Sequence, residues 1–250
     1  MSLEPPRPGF MFAPEANDEF FLAEPVGLRI SILAFSGVLV IAGLWLLVTA
    51  LLLPQAIALP LDRTSAAAVA AYRDNALWAA RLGVVRGDLF AQAAYTDADI
   101  IWLYRTHGPD AANAARLQRA KANAEAAVAL APVNGAAWLL LAELPPGSGK
   151  AAEAKGMIAL QMSYFTAPNN ASLAAARIEQ ALASPAPLDR DLQEFMKGDL
   201  RQILTLQPEQ KPAILAAYKA ATPQNQASFE ALSAQADPDF SQSLRGDAPK

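Results

Sequence analysis

The sequence has 250 residues, a formal charge of −4 from 20 basic and 24 acidic side chains, one histidine and no cysteine. No basic excess marks a nucleic-acid surface, a cysteine nucleophile is excluded, and a metal site would rest on one imidazole plus carboxylates. The length allows one domain with its own core beside a membrane segment.

In chain order, residues 1–28 read as a mobile tail. Met1 to Glu24 holds Pro5, Pro6, Pro8 and Pro14 with five acids, too little apolar surface to offset ordering. Phe10, Phe12, Phe20 and Phe21 interrupt that pattern, either as a short linear motif or as aromatics near a bilayer surface.

Ile30 to Leu53 follows without a single charge, long enough for a helix across a bilayer core, so residues 29–54 are read as a transmembrane helix bounded by Arg29 and Pro54. Its expected partner is membrane lipid through residues 30–53. A cleavable signal peptide is the rival, since Ala56-Ile57-Ala58 supplies an A-x-A site just past the run. The apolar stretch is too long for a signal core, and an uncleaved anchor fits it better. Counting Lys and Arg near each end sets Arg29 against Arg63 and Arg73, nearly a tie. Arg29 abuts the apolar run directly, which favours a cytoplasmic N-terminus and an exported C-terminal domain. The lack of cysteine permits an oxidising compartment without demanding one.

After a linker at 55–64, residues 65–238 are dense in Ala, Leu, Gln and Glu and lack alternating Val/Ile/Thr runs, so the expected class is all-α. Helices are expected near 65–82, 89–106, 110–130, 136–144, 149–165, 172–183, 188–206, 212–221 and 224–236. Ser65, Asp88 and Asp110 are candidate N-caps. Pro132, Pro145, Pro168, Pro185, Pro208 and Pro223 stand where helices should stop. Residues 239–250 read as a frayed tail.

The stretch from Ala126 to Ala142, with Ala-Leu closing one helix, Pro132 and Asn134 in the turn, and Trp138 and Leu141 on one face of the next, resembles a junction between tetratricopeptide repeats. Pro168-Asn169-Asn170 repeats the turn 36 residues on, near the expected period of about 34. Gly87-Asp88-Leu89-Phe90 aligns on Gly135-Ala136-Ala137-Trp138 at an offset of 48, which requires an insertion around His107-Gly108-Pro109. Leu206-Gln207-Pro208 and Ala221-Thr222-Pro223 echo the turn only 15 apart. The resemblance implies stacked helical hairpins, an α-solenoid or bundle with a protein-binding groove and no catalysis. An Ala-rich bundle without true repeats is the alternative.

Local motifs for chemistry are defective. Gly147-Ser148-Gly149-Lys150 looks like the end of a phosphate loop, but Leu144 and Ala151 occupy the positions that need Gly and Ser or Thr, so no nucleotide is expected. His107 precedes a Gly-Pro turn, and no G-x-S-x-G elbow exists for it to serve. Asp97 and Asp99, two apart, do not share a helix face, and Asp189 and Asp191 read as negative charge at a helix start. Asn170-Ala171-Ser172 matches a sequon, with Ser172 read more simply as a cap. No catalytic, cofactor-binding or metal residues are expected.

The sequence thus suggests a membrane-anchored interaction domain, a scaffold or accessory subunit binding a protein partner and neither nucleic acid nor nucleotide. Similarity to bacterial membrane-anchored tetratricopeptide proteins implies a periplasmic domain on the inner membrane and work in the cell envelope, polysaccharide assembly being one example. A structural subunit of a larger membrane complex and a carboxylate-dependent glycan hydrolase are the alternatives. Phe90, Trp102, Tyr104, Tyr164 and Tyr218 are the candidate groove aromatics, most of them expected to be core, and Trp138 is expected to be a buried wedge.

Overall fold

The computed structural model describes residues 26–53, 66–103, 111–145, 149–185 and 187–244, and every regular element among them is helical. The proline-rich tail, the Ala56-Ile57-Ala58 site, Ser65, Tyr104, His107, Asp110 and the Gly147-Ser148 loop lie outside the described residues.

Helix α1 (Val26–Leu52) starts four residues before the charge-free run. Its segment Gly27–Leu52 is long and apolar enough to cross a membrane, and none of that stretch's most apolar window is buried, unlike the core helix of a soluble protein. Ser31 donates its hydroxyl to the Gly27 carbonyl at 2.8 Å, satisfying within the helix a group that lipid could not.

The helical domain is built from α2 (Ala66–Gly83), α3 (Gly87–Leu103), α4 (Ala111–Leu130), α5 (Gly135–Glu143), α6 (Lys150–Thr166), α7 (Ala171–Ala183), α8 (Arg190–Leu206), α9 (Lys211–Ala220), α10 (Pro223–Ala236) and α11 (Pro238–Leu244). α2 packs on α3, α3 on α4, α5 on α6 and α7 on α8; α9 then returns to α7, and α10 to α8 and α11. The α2–α3, α3–α4, α5–α6 and α7–α8 pairs are each consecutive in the chain and pack together as helical hairpins. Asn134, Asp189 and Thr222 accept backbone N–H groups of Ala137, Leu192 and Asn225, which explains where α5, α8 and α10 begin. Asn170, not Ser172, caps α7: its Oδ1 accepts from both the amide and the hydroxyl of Ser172. Asp88 is no cap either; it sits inside the first turn of α3 in an ion pair with Arg86. Several prolines open helices rather than merely ending them. Pro212, Pro223 and Pro238 lie in first turns, where the missing N–H has no intrahelical use.

The expected fray at 239–250 needs correction. Asp237 accepts the Phe240 amide at 3.0 Å, Phe240 and Leu244 are buried, and α11 closes the domain against α10 through Leu244. Only residues 245–250 of that tail are outside the described residues.

The core is largely alanine and leucine, and two glycines let helix ends meet within it. A Cβ on Gly135, the first residue of α5, would stand 2.5 Å from Ala167 Cβ and 3.1 Å from the Ser163 carbonyl at the end of α6. A Cβ on Gly87, the first residue of α3, would stand 2.7 Å from Ala131 Cβ and 2.8 Å from the Ala127 carbonyl at the end of α4. In both places the positive start of one helix faces the negative end of another. The two residues are the ones that align in the sequence at an offset of 48. Gly135→Ala is expected to cost about 1–2 kcal/mol, measured by chemical denaturation of the full chain in mild detergent, because the contact is with backbone and with a Cβ that cannot swing aside. An unchanged midpoint would mean the two helix ends separate freely.

Candidate functional site

A groove of about 480 Å³ is walled by α4, α5 and α6. Trp138 is its fixed aromatic. Its indole N–H donates to the Pro132 carbonyl at 2.8 Å, so the turn that stops α4 also orients the ring. Leu141, three residues on, continues the wall, and Val128 and Leu144 complete the apolar side. On α6 the lining residues Ala152, Gly156 and Ala159 are small, which keeps the groove open. Lys121 and Glu125, one turn apart on α4, and Lys155 on α6 supply its charges.

This arrangement can take apolar side chains of a partner between α4 and α6 and pair charges at the rim. Trp138 is half-buried rather than a fully enclosed wedge, so its truncation would remove less buried area than expected from the sequence.

The sequence-predicted aromatics are placed elsewhere. Phe90 is half-buried against the core, and Tyr164 and Tyr218 are buried. Tyr218 donates its hydroxyl to Glu230 and packs against Phe229, a structural role. The Trp102 backbone belongs to α3, while its side chain, like all of Tyr104, lies outside the described residues. None of Phe90, Tyr164 and Tyr218 lines the groove.

A second constellation is buried. Arg177 on α7 is fully enclosed, and its guanidinium stacks 4.8 Å from the Tyr164 ring centre. Its Nε donates to Ser163 Oγ at 3.0 Å, and one Nη2 donates to the carbonyls of Ser163 at 2.6 Å and Ala167 at 2.8 Å. Arg177 therefore caps the C-terminus of α6 from inside the domain. The other terminal nitrogen lies 3.9 Å from Asp199 Oδ2 on α8, an attraction without a hydrogen bond. Burial pulls the Arg177 guanidinium down, against the pull of Asp199. Burial pushes the Asp199 carboxyl up to about 6 although Arg177 opposes it, and burial followed by Asp199 raises the Tyr164 hydroxyl well above its ordinary value. Asp199 and Tyr164 also line a concavity of about 330 Å³ with Glu194, Phe195, Asn169 and Gln202.

Asp97 and Asp99 on α3 are both buried, an outcome their spacing did not suggest, and Asp97 accepts the fork of Arg119 at 3.1 and 3.3 Å. Among the described residues no group of three His, Cys, Asp or Glu side chains could hold a metal ion. Compared with family models, with curated proteins and with solved structures, the chain finds no match.

Proposed function

We propose that this chain is a single-pass membrane protein that presents tetratricopeptide-like helical hairpins to a protein partner, as a scaffold or accessory subunit. The observation that carries the reading is the apolar groove beside Trp138, open at the α6 wall and charged at Lys121, Glu125 and Lys155. The unburied apolar helix at Gly27–Leu52 supports the anchor, which would raise the domain's effective concentration beside membrane partners. The position of Arg29 supports a cytoplasmic N-terminus and a periplasmic domain on a bacterial inner membrane. Envelope assembly, polysaccharide assembly included, is an analogy drawn from the turn motif.

A photo-crosslinker in place of Ile158, whose side chain is exposed in the groove, is expected to give a discrete adduct in native membranes. Leu141→Asp, which puts a charge into the apolar wall, should abolish it. The partner's identity would also fix the side of the membrane. Adduct formation indifferent to Leu141→Asp would overturn the groove as the docking surface.

The hydrolase alternative draws on one observation. Asp199 and Glu194 line the same concavity with their ionisation pushed in opposite directions, Asp199 up by burial and Glu194 down by its hydrogen bond from Lys197. Such a split suits an acid and a base. Against it, Asp199 faces the buried Arg177, and the concavity is smaller than the groove. Turnover of a cell-wall glycan that disappears in Asp199→Asn would reverse the preference.

A further inference from the structure

Apart from the groove, one surface concavity of about 340 Å³ has an uneven chemistry. It is lined by Arg73, Leu77 and Arg81 of α2 and by Ala115, Arg116 and Arg119 of α4, with four guanidiniums and, among the described residues, no carboxylate in the lining. Two acids among the described residues beside it already have partners. Asp74 pairs with Arg73 at 2.9 Å, and the buried Asp97 holds the fork of Arg119. Arg116 spends one donor on Asn113 Oδ1. Each guanidinium carries five N–H donors, so Arg73, Arg116 and Arg119 keep donors beyond these bonds. Arg81 lies over the exposed Trp78 ring at 5.5 Å, and no carboxylate among the described residues pairs with it.

Exposed apolar residues follow this charge along the chain, beginning with Trp78 under Arg81. Trp78 is 55% exposed, and Val84 and Val85 in the turn after α2 are 64% and 65% exposed. Val84 holds a φ of 29°, a left-handed conformation costly for a β-branched residue, and its side chain gains no burial in return. A soluble phosphate would need the arginines alone. Arginines joined to an outward tryptophan and two valines suit a surface whose phosphates lie beside apolar chains. The sequence supplies the third element. Only 13 residues separate Leu52, the end of the apolar helix, from Ala66, the start of α2, which caps the tether at about 45 Å even when fully extended.

We propose that the Arg73, Arg81, Arg116 and Arg119 concavity binds the phosphate of an anionic phospholipid headgroup, with Trp78, Val84 and Val85 entering the acyl boundary beside it. Asp97 is a positioning residue here: its buried carboxylate sets the Arg119 fork before any lipid arrives. The site is separate from the protein-docking groove, which is lined by different residues of α4 together with α5 and α6.

Native mass spectrometry of the full chain released from uncharged detergent micelles tests this with three probes: phosphatidylglycerol, phosphatidylcholine and inorganic phosphate. The wild type is expected to retain phosphatidylglycerol over phosphatidylcholine, and the preference should fade as ionic strength rises. Arg81→Gln with Arg116→Gln should lower phosphatidylglycerol retention on the order of tenfold. Arg190→Gln with Arg201→Gln, which removes two arginines of α8, should leave it unchanged. Equal retention of the two lipids, a preference indifferent to salt, or equal losses in both double variants would overturn the proposal. Inorganic phosphate bound as tightly as phosphatidylglycerol would overturn the lipid as occupant. The salt series needs no variant, so a misfolded mutant cannot shelter the idea.

Discussion

Arg177→Ala is expected to destabilise the helical domain by about 3–5 kcal/mol, the range for removing one partner of a buried charged network. Three losses combine. The carbonyls of Ser163 and Ala167 lose their shared charged donor and keep only the backbone N–H of Ala167 and of Asn170. Asp199 loses the only cation near it among the described ion pairs. The space under the Tyr164 ring empties, since Arg177 is among the largest fully buried side chains. Arg177→Lys keeps a charge but not the fork that reaches Ser163 Oγ and two carbonyls together, so it should recover only part of the loss. Adding Asp199→Asn to Arg177→Ala should regain some stability, because the uncompensated carboxylate is then gone. Denaturation of the full chain in mild detergent, followed by far-ultraviolet circular dichroism, reads all three. A loss below about 1 kcal/mol for Arg177→Ala would mean that water reaches the site and replaces the guanidinium.

The elements of this domain were legible because their signals are local. Ala-rich stretches between prolines mark nearly every helix to within a few residues, while the caps were less legible: Asp88 sits inside α3, and Asn134, read only as a turn residue, caps α5. The same locality explains what escaped. Arg177 sits in Ala174-Ala175-Ala176-Arg177-Ile178, where an arginine ordinarily marks the solvent face. Its acceptors lie at the end of another helix, ten and fourteen residues away, and only packing brings them inward. Asp97 is buried for a similar reason, with its partner Arg119 on the next helix. The α11 helix was missed because its seven residues are polar except for Phe240 and Leu244, and their burial is decided by α10.

The candidate groove was half legible. Trp138 and Leu141 were legible as two residues on one helix face, with Trp138 expected to be a buried wedge, whereas both line the groove. The other aromatics misled because residue type alone does not separate a core ring from a surface one. Tyr164 lies under Arg177 and stacks on Phe195 at 5.2 Å, and nothing in its own neighbourhood of the sequence announces either contact. The arginine concavity was not read from the sequence at all. Arg73 and Arg81 recur eight residues apart on α2 and Arg116 and Arg119 three apart on α4, each an ordinary surface pair alone. Four charges become a site only when α2 and α4 flank one hollow.

Stability should also depend on pH through Asp199, with a sign opposite to that of an ordinary paired carboxylate. Burial raises this carboxyl to about 6 in the folded protein, against 3.8 for the free side chain. Between those two values the folded state binds the proton that the unfolded chain has released. The contribution is therefore fully present below pH 4 and lost as pH rises through 6. Its size is about 2–3 kcal/mol, at roughly 1.4 kcal/mol for each pH unit that separates the two values. Groups facing Asp199 act within that figure: Arg177 pulls the carboxyl down, as does Tyr164, while burial outweighs both. Glu194 at the rim of the same concavity is held low by Lys197 and trends the other way, so the raw pH profile of the wild type mixes signs. The difference between wild type and Asp199→Asn isolates the contribution of this one carboxyl. Near pH 4 the two proteins should be equally stable, because both side chains are then neutral and of similar size. Near pH 7 the asparagine variant should be the more stable by about 2 kcal/mol, having no charge to keep out of water. Parallel pH profiles for the two proteins would mean that Asp199 stays ionised across the range, its desolvation offset by Arg177 or by water entering from the concavity it lines.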